Sequence, residues 1–522
     1  MEINAAAGAP AGVSVWPEPD ANKIAETHTG LVFLVGDRAY KVKKPVATDF
    51  LDFTSAASRE LACAHEVELN RRLAPRSYLG VAHFTLVGET PEPVIVMRRH
   101  PDARRLATMV RRGEPLDEPL ADIALLLARF HAGAHRGPDV DEQARADAVA
   151  ARWQENLAEL AGYARGRVPG LDPAAVTETA RLAEGFIAGR SDLFDRRIAE
   201  GRIVDGHADL LADDIFCMPE GPALLDCLEF DDRLRYVDVA DDLAFLAMDL
   251  EFLGRPDLAE VFASRYAQFS GDDAPVALRH FYIAYRAGVR AKVDCVRYTQ
   301  GRAESALDAQ RHLDIALSHL RAGAVRLILV GGGPGTGKTT VAGALAESLA
   351  KSTVTQVIST DDVRAELVRR GELTGEPGVL GQGLYSRENV DAVYDEVLRQ
   401  ARGGLREGRS VILDGTWRDE GYRERARRLA AETSATMVEL ACVAALDASI
   451  TRIRSRTESS SQVTPEIATA LADHPGTGAW PGAHPIDTTR ELAESIAEAT
   501  EVCLTAQNPV AQKTSRPNEP TR

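Results

Sequence analysis

The sequence predicts a multidomain chain, an α+β domain of two lobes followed by an α/β domain on a mainly parallel sheet. Three observations predict it. At 522 residues the chain exceeds what one ordinary core holds. Its first part runs from β-rich to helix-rich segments, and near residue 325 the texture changes to short apolar strands alternating with helices. With 45% hydrophobic and 27% charged residues, it has the composition of a globular protein able to bury such cores.

Residues 1–20, rich in Ala, Gly and Pro, are expected to be flexible. The first domain is expected over 21–320, with a small lobe at about 21–110 and a helical lobe at about 111–320. LVFLV and AYKVK, joined by Gly36-Asp37, read as a β-hairpin. A helix is expected from about Ser58 to Leu73, and GVAHFTLVGETPEPVIVMRR returns to strand. Helices dominate from about Pro119 to Leu320, where Ile123, Leu126, Leu127 and Phe130 form an apolar stripe. A β-like island, Ile203 to Phe230, interrupts them. The second domain is expected over 325–504, its strands RLILV (326–330), VTQVIS (354–359), SVILD (410–414) and MVELACV (437–443). Strands alternating with helices imply right-handed βαβ units and a parallel sheet covered on both faces. The polar tail, 505–522, is expected to be disordered.

Charge and cysteine usage narrow the function classes. A net charge of −17 repels polyanions, so nucleic acid is a disfavoured partner. No run reaches the ~18 apolar residues of a membrane span. Six scattered cysteines form no CxxC pair, which argues against a disulfide framework or a zinc site. The start, MEINAAAGAPAGVSVW, lacks a cationic-then-apolar leader pattern, and a cytoplasmic protein is expected.

Gly332-Gly333-Pro334-Gly335-Thr336-Gly337-Lys338-Thr339 fits GxxxxGK[ST] between an apolar strand and a helix marked by Val341, Leu345 and Leu349. Glycines let main-chain N–H groups curl round phosphates at the positive end of a helix. Lys338 is placed to reach the β- and γ-phosphates and Thr339 to ligate Mg²⁺, with Thr340 beside them. Ser359-Thr360-Asp361-Asp362-Val363-Arg364 ends the next strand, on the edge where α/β sheets bind ligands. A carboxylate there can take the proton of an attacking hydroxyl, and Arg364 can neutralise an anionic acceptor. Asp361 or Asp362 can also simply cap the following helix. SVILD places Asp414 toward the same Mg²⁺. Arg452 and Arg456 share a helix face before a Ser/Thr-rich loop, as arginines carried on a lid would. Trp480 and Asp487 are weaker candidates for the adenine end.

Residues 325–504 resemble the small P-loop kinases, the group of gluconate kinase-like, polynucleotide 5′-kinase-like and zeta-toxin-like enzymes. S-T-D-D-V-R most resembles the polynucleotide-kinase branch, which implies Asp361 as general base and Arg364 as the contact to an acceptor phosphate. In the first domain, Val204-Asp205-Gly206-His207-Ala208-Asp209-Leu210-Leu211-Ala212-Asp213-Asp214 precedes Leu224-Leu225-Asp226. This resembles the H-G-D-L-H-x-x-N motif and following Asp of the aminoglycoside phosphotransferase-like, protein-kinase-like fold. The resemblance implies Asp209 as base, Asp214 and Asp226 as metal ligands, and Lys41 with Glu66 as the phosphate-gripping pair. Ala208 stands for Gly, Leu211 for His and Asp214 for Asn, and no GxGxxG precedes Lys41, where Thr27-His28-Thr29-Gly30 could form a shorter phosphate loop. His207 is expected to brace the loop. Arg286, Arg290 and Lys292 are expected to lie on a solvated helix face.

Nearly the whole chain resembles a bacterial bifunctional group that fuses these two domain types: a bilobal kinase-like α+β domain, then an α/β P-loop NTPase domain. The resemblance implies ATP, Mg²⁺ and a hydroxyl acceptor, with the first domain a second ATP site or a silent one; the net charge of −17 favours a small molecule as that acceptor. Two other readings stay open: an ATP-driven regulatory switch with a silent N-terminal module, and a polynucleotide 5′-hydroxyl kinase.

Overall fold

The computed structural model describes residues 2–4, 23–26, 30–46, 53–85, 91–272, 274–350, 353–376, 381–455, 469 and 480–506. It divides into two units. The first comprises Met1–Ala180, Phe194–Ala274 and Phe281–His319; the second comprises Arg181–Leu193, Pro275–His280 and Leu320–Arg522.

In the first unit six strands form an antiparallel sheet: β1 (Glu2–Asn4), β2 (Lys23–Glu26), β3 (Gly30–Val35), β4 (Arg38–Lys43), β5 (Tyr78–Thr85) and β6 (Glu92–Arg98). Their order is β1-β5-β6-β4-β3-β2. β1 lies within the stretch expected to be flexible and pairs with the end of β5. The β3–β4 hairpin turns at Gly36, whose φ of 57° suits glycine. The helix Ala56–Arg71 starts on Ser55, whose side chain accepts from the Ser58 amide. It packs Cys63 and Val67 onto Tyr78, Ile95 and Met97. β4 inverts the usual alternation, because its buried positions are Ala39, Lys41 and Lys43. Two lysines therefore enter the interior.

The helical lobe includes the helices Asp117–Gly133, Ala146–Ala164, Val239–Phe252 and Pro256–Ser270. On the first of these, Leu126 and Phe130 are only half-buried, and the buried stripe is Leu120, Ile123, Ala124, Leu127 and His131. The β island resolves into β7 (Ile203–Asp205), paired antiparallel with β10 (Tyr236–Asp238), and a hairpin of β8 (Ile215–Met218) with β9 (Gly221–Leu224).

The second unit is built on five parallel strands in the order β12-β13-β11-β14-β15: β11 (Arg326–Gly331), β12 (Thr355–Ser359), β13 (Ser410–Asp414), β14 (Thr436–Val443) and β15 (His484–Asp487). β11 and β13 are buried at every position, as strands covered on both faces must be. The fifth strand, β15, is short and is not among the four expected strands. Register sets Val330 and Ser359 on either side of Asp414, so the carboxyl ends of three strands meet at one edge.

Candidate functional sites

The loop after β11 takes its shape from glycine. Gly332, Gly335 and Gly337 have φ of 143°, 76° and 86°. A Cβ on Gly332 would lie 2.5 Å from the Cys442 carbonyl oxygen, and one on Gly335 would lie 2.5 Å from that of Ser449. The loop thus presses on the end of β14 and on the helix Leu446–Arg454. Lys338 opens the helix Lys338–Leu349 and donates from Nζ to the Gly333 carbonyl at 2.9 Å. Thr339 and Thr340 are exposed in its first turn. The Thr339 hydroxyl donates to Asp414 Oδ2 at 2.7 Å. Burial pushes the Asp414 carboxyl above its ordinary value, the Thr339 bond and Lys338 pull it back, and Asp361 and Asp362 push it further up.

At the neighbouring strand end, Ser359 caps the helix Thr360–Arg369 by accepting from the Asp361 amide at 3.2 Å. Neither aspartate is needed for capping. Asp361 Oδ1 instead accepts from Arg364 Nη1 at 2.5 Å. The Arg364 guanidinium stacks 4.7 Å from the Tyr385 ring centre, and its Nε is buried with no hydrogen-bond partner among the described residues. Tyr394, buried beside them, accepts from the Trp417 amide at 3.4 Å. Trp417 itself has a φ of 49°, a strained value for an indole residue.

Arg452 donates from Nη2 to the Thr488 carbonyl at 2.6 Å and from Nη1 to its hydroxyl at 3.1 Å, and that hydroxyl donates to the Thr336 carbonyl at 2.8 Å. Arg452 is therefore fastened to the glycine loop through Thr488. Arg456 lies outside the described residues, as do Thr27, His28 and Thr29. Trp480 packs on Gly331 and donates to Glu439 Oε2 at 2.6 Å. Asp487 accepts from the Thr489 amide at 2.9 Å.

In the first unit, Asp242 organises the loop after β7. Its carboxylate accepts from the His207 and Ala208 amides at 2.8 and 2.7 Å and contacts His131 Nε2 at 3.0 Å. A Cβ on Gly206 would meet it at 2.7 Å, and Ala208 adopts a φ of 65°. His207 Nε2 faces the Leu225 carbonyl at 3.1 Å while Nδ1 accepts from the Asp209 amide at 3.3 Å. That pairing requires a neutral ring with its proton on Nε2. Burial, which pushes the imidazole down to about 4, agrees with it. His207 braces.

Asp209, Asp214 and Asp226 face one another electrostatically. Burial pushes Asp209 up to about 6, against the pull of Arg290 and with a push from Asp226. Burial, Asp226 and Asp209 hold Asp214 well above the carboxylate range. Asp226 is held below it by Lys41 despite its burial. Lys41 Nζ stands 2.8 Å from Glu66 Oε1 and 2.5 Å from Asp226 Oδ1. Burial disfavours its charge, but Asp226, Glu66 and Glu229 outweigh that and hold its pKa well above the usual lysine value.

The expected solvated face on Arg286, Arg290 and Lys292 is corrected in part. Arg286 is 5% exposed and donates from Nε and Nη2 to Asp241 at 2.7 and 2.9 Å, while Lys292 does reach a surface partner, Glu159. The reason is distance in sequence, since Asp241 lies 45 residues away. Lys43, Glu229 and Asp242 also escaped the sequence reading. The K-V-K alternation of β4 was the one local signal for the first of them.

Among the described residues no three metal-ligating side chains cluster, and no helix is long and apolar enough to cross a membrane. Residues 327–473 match the family described as AAA domain. The chain is 54% identical over 484 residues to a Mycobacterium tuberculosis protein designated Uncharacterized protein Rv2004c, covering 92% of this chain and 95% of that one. A choline/ethanolamine kinase family protein from Mesorhizobium loti aligns over 59% of this chain and 94% of its own, at 16% identity and a TM-score of 0.35. The Mycobacterium tuberculosis APS kinase CysC, in complex with AMPPNP and APS, aligns over 34% of this chain and 98% of its own, at 17% identity and a TM-score of 0.27. By its identity with the mycobacterial protein across nearly its full length, the chain belongs to that protein's family.

Proposed function

We propose that the chain is an ATP-dependent phosphotransferase whose P-loop domain moves the γ-phosphoryl group of ATP to the hydroxyl of a small molecule. One observation carries the reading. The Thr339 hydroxyl and Asp414 carboxylate touch at the root of a glycine nest, and Asp361 with Arg364 stands at the adjoining strand end. Lys338 grips the β- and γ-phosphates in this reading, and the main-chain amides from Gly332 onward line them. Asp361 takes the proton of the attacking hydroxyl, and Arg364 orients an anionic group of the acceptor. Arg452, fastened beside Gly337, steadies charge on the transferring group. The net charge of −17 favours a small acceptor over a polynucleotide.

Mg²⁺ fits both domains as an ion shared with phosphates and water rather than caged by protein. Thr339 and Asp414 would hold it in the P-loop domain, and Asp214 and Asp226 in the first domain, where the raised Asp214 carboxyl suits a cation. When bound, it would supply positive charge to offset the charge developing on the transferring group. The first domain is proposed as a second nucleotide site, with Lys41 and Glu66 on the phosphates and Asp209 as its base. Six cysteines without disulfides fit a cytoplasmic setting.

A metabolite library incubated with [γ-³²P]ATP tests the reading on the parent chain, Lys338→Ala and Asp209→Ala. Labelling of a small molecule that vanishes in Lys338→Ala supports it. ATP hydrolysis that no metabolite alters, in all three chains, contradicts it and favours a regulatory switch.

A further inference from the structure

Lys43 has no place in the proposed chemistry, yet its side chain is 0% exposed. It lies on the same inward face of β4 as Lys41, two residues away. Its Nζ stands 2.6 Å from Glu66 Oε2 and 2.5 Å from Glu229 Oε1. Lys41 occupies the other Glu66 oxygen and reaches Asp226. Five side chains therefore form one chain of contacts, Asp226–Lys41–Glu66–Lys43–Glu229, whose ends lie close together on the loop after β9. It ties β4, the helix Ala56–Arg71 and that loop together. Phe53 covers it, with its ring centre 5.4 Å from Lys43 Nζ.

We propose that Lys43 and Glu229 are positioning residues of the N-terminal nucleotide site, an inference that rests on reading the first domain as such a site. A buried carboxylate held by one ammonium can swing toward it. Glu66 is held on both oxygens, so its orientation is set whether or not Lys41 stays. Lys41 and Asp226 both face the nucleotide and must exchange partners when it arrives. Lys43 and Glu229 need not. They keep Glu66 in place to receive Lys41 in its phosphate-gripping position, and the site is assembled before ligand enters. Charge also favours the second lysine: Glu66 is fully buried and Glu229 only 13% exposed, and Lys41, already shared with Asp226, would balance one of them alone.

Titration calorimetry with AMP-PNP and Mg²⁺ on the full chain tests this, with Lys338→Ala in every variant to silence the P-loop site. The parent should take up one equivalent. Lys43→Met should raise Kd about tenfold or more, a loss of 1.4 kcal/mol, and Lys43→Arg should recover most of it. Should Lys43→Met fail to fold, Glu229→Gln decides, since it keeps both ammonium groups and removes buried charge. It too should weaken binding. A merely structural role would lower the melting temperature and leave the Kd of the folded protein unchanged. A parent-like Kd in Glu229→Gln, or in folded Lys43→Met, overturns the proposal alone. No uptake by the Lys338→Ala parent overturns the N-terminal site reading, and this proposal with it.

Discussion

Replacing Gly335 with alanine tests the glycine nest at its tightest point. At φ 76° an L-residue pays about 1–2 kcal/mol for the left-handed region. The new Cβ would also lie 2.5 Å from the Ser449 carbonyl oxygen and 3.1 Å from Ile453 Cγ1. Forcing a methyl into such a contact costs about 1–3 kcal/mol more. The loop can relieve both only by lifting off the helix Leu446–Arg454, which breaks the alignment of its amides. Borne by the loop, about 2 kcal/mol already weakens triphosphate binding about thirtyfold. The assay is calorimetry with AMP-PNP and Mg²⁺ in a Lys41→Met background, so that only the P-loop site contributes. Gly343→Ala is the control: it has no heavy atom within 4 Å of its Cβ and sits inside the helix Lys338–Leu349. There alanine should stabilise by about 0.5–1 kcal/mol and leave affinity alone. Equal affinities for the two variants would refute the reasoning.

Three further outcomes are expected. Asp361→Asn should lower kcat by about 10²–10⁴ with KM for ATP unchanged, measured with an acceptor found by labelling; a change confined to the acceptor KM would make Asp361 only an anchor for Arg364. Burial pushes the Asp242 carboxyl up, but its bonds to the His131 ring and the His207 amide outweigh that and hold it below the carboxylate range. Its contribution to stability is therefore full above the unfolded value of about 3.9 and is lost as pH falls further. Asp242→Asn should cost about 2 kcal/mol near neutrality, and its melting temperature should converge on the parent's below that pH; a constant gap from pH 7 to 3 contradicts the assignment. Burial pushes the thiols of Cys63, Cys227, Cys295, Cys442 and Cys503 up to about 12 and that of Cys217 to about 11. Iodoacetamide at pH 8 should leave them largely unmodified until denaturant is added, as mass spectrometry will read; rapid native alkylation would contradict the burial.

What the sequence made legible was local. Gly332–Thr339 announces itself because one turn must meet φ, charge and hydroxyl demands within eight residues. Lys41 and Glu66 were reached through a resemblance, and the structure brings their side chains together. Contacts made across long separations left no signal. Asp242 binds a loop 34 residues upstream, and Lys43 meets Glu229 across 186. The short strand β15 and the fastening of Arg452 to Thr488 were hidden for the same reason. Ser359 was visible but read too weakly: a serine two residues before Asp361 is itself a good cap, and it leaves the aspartate available for Arg364.

The central claim is that the nest opening at Gly332 holds a triphosphate through Lys338 and the Thr339–Asp414 pair. Equilibrium dialysis of the full chain against labelled AMP-PNP, with and without Mg²⁺, tests it most directly when repeated on Lys338→Ala. Magnesium-dependent uptake that drops by one equivalent in the variant is the predicted result. Identical uptake by the two chains, or none by either, would contradict it.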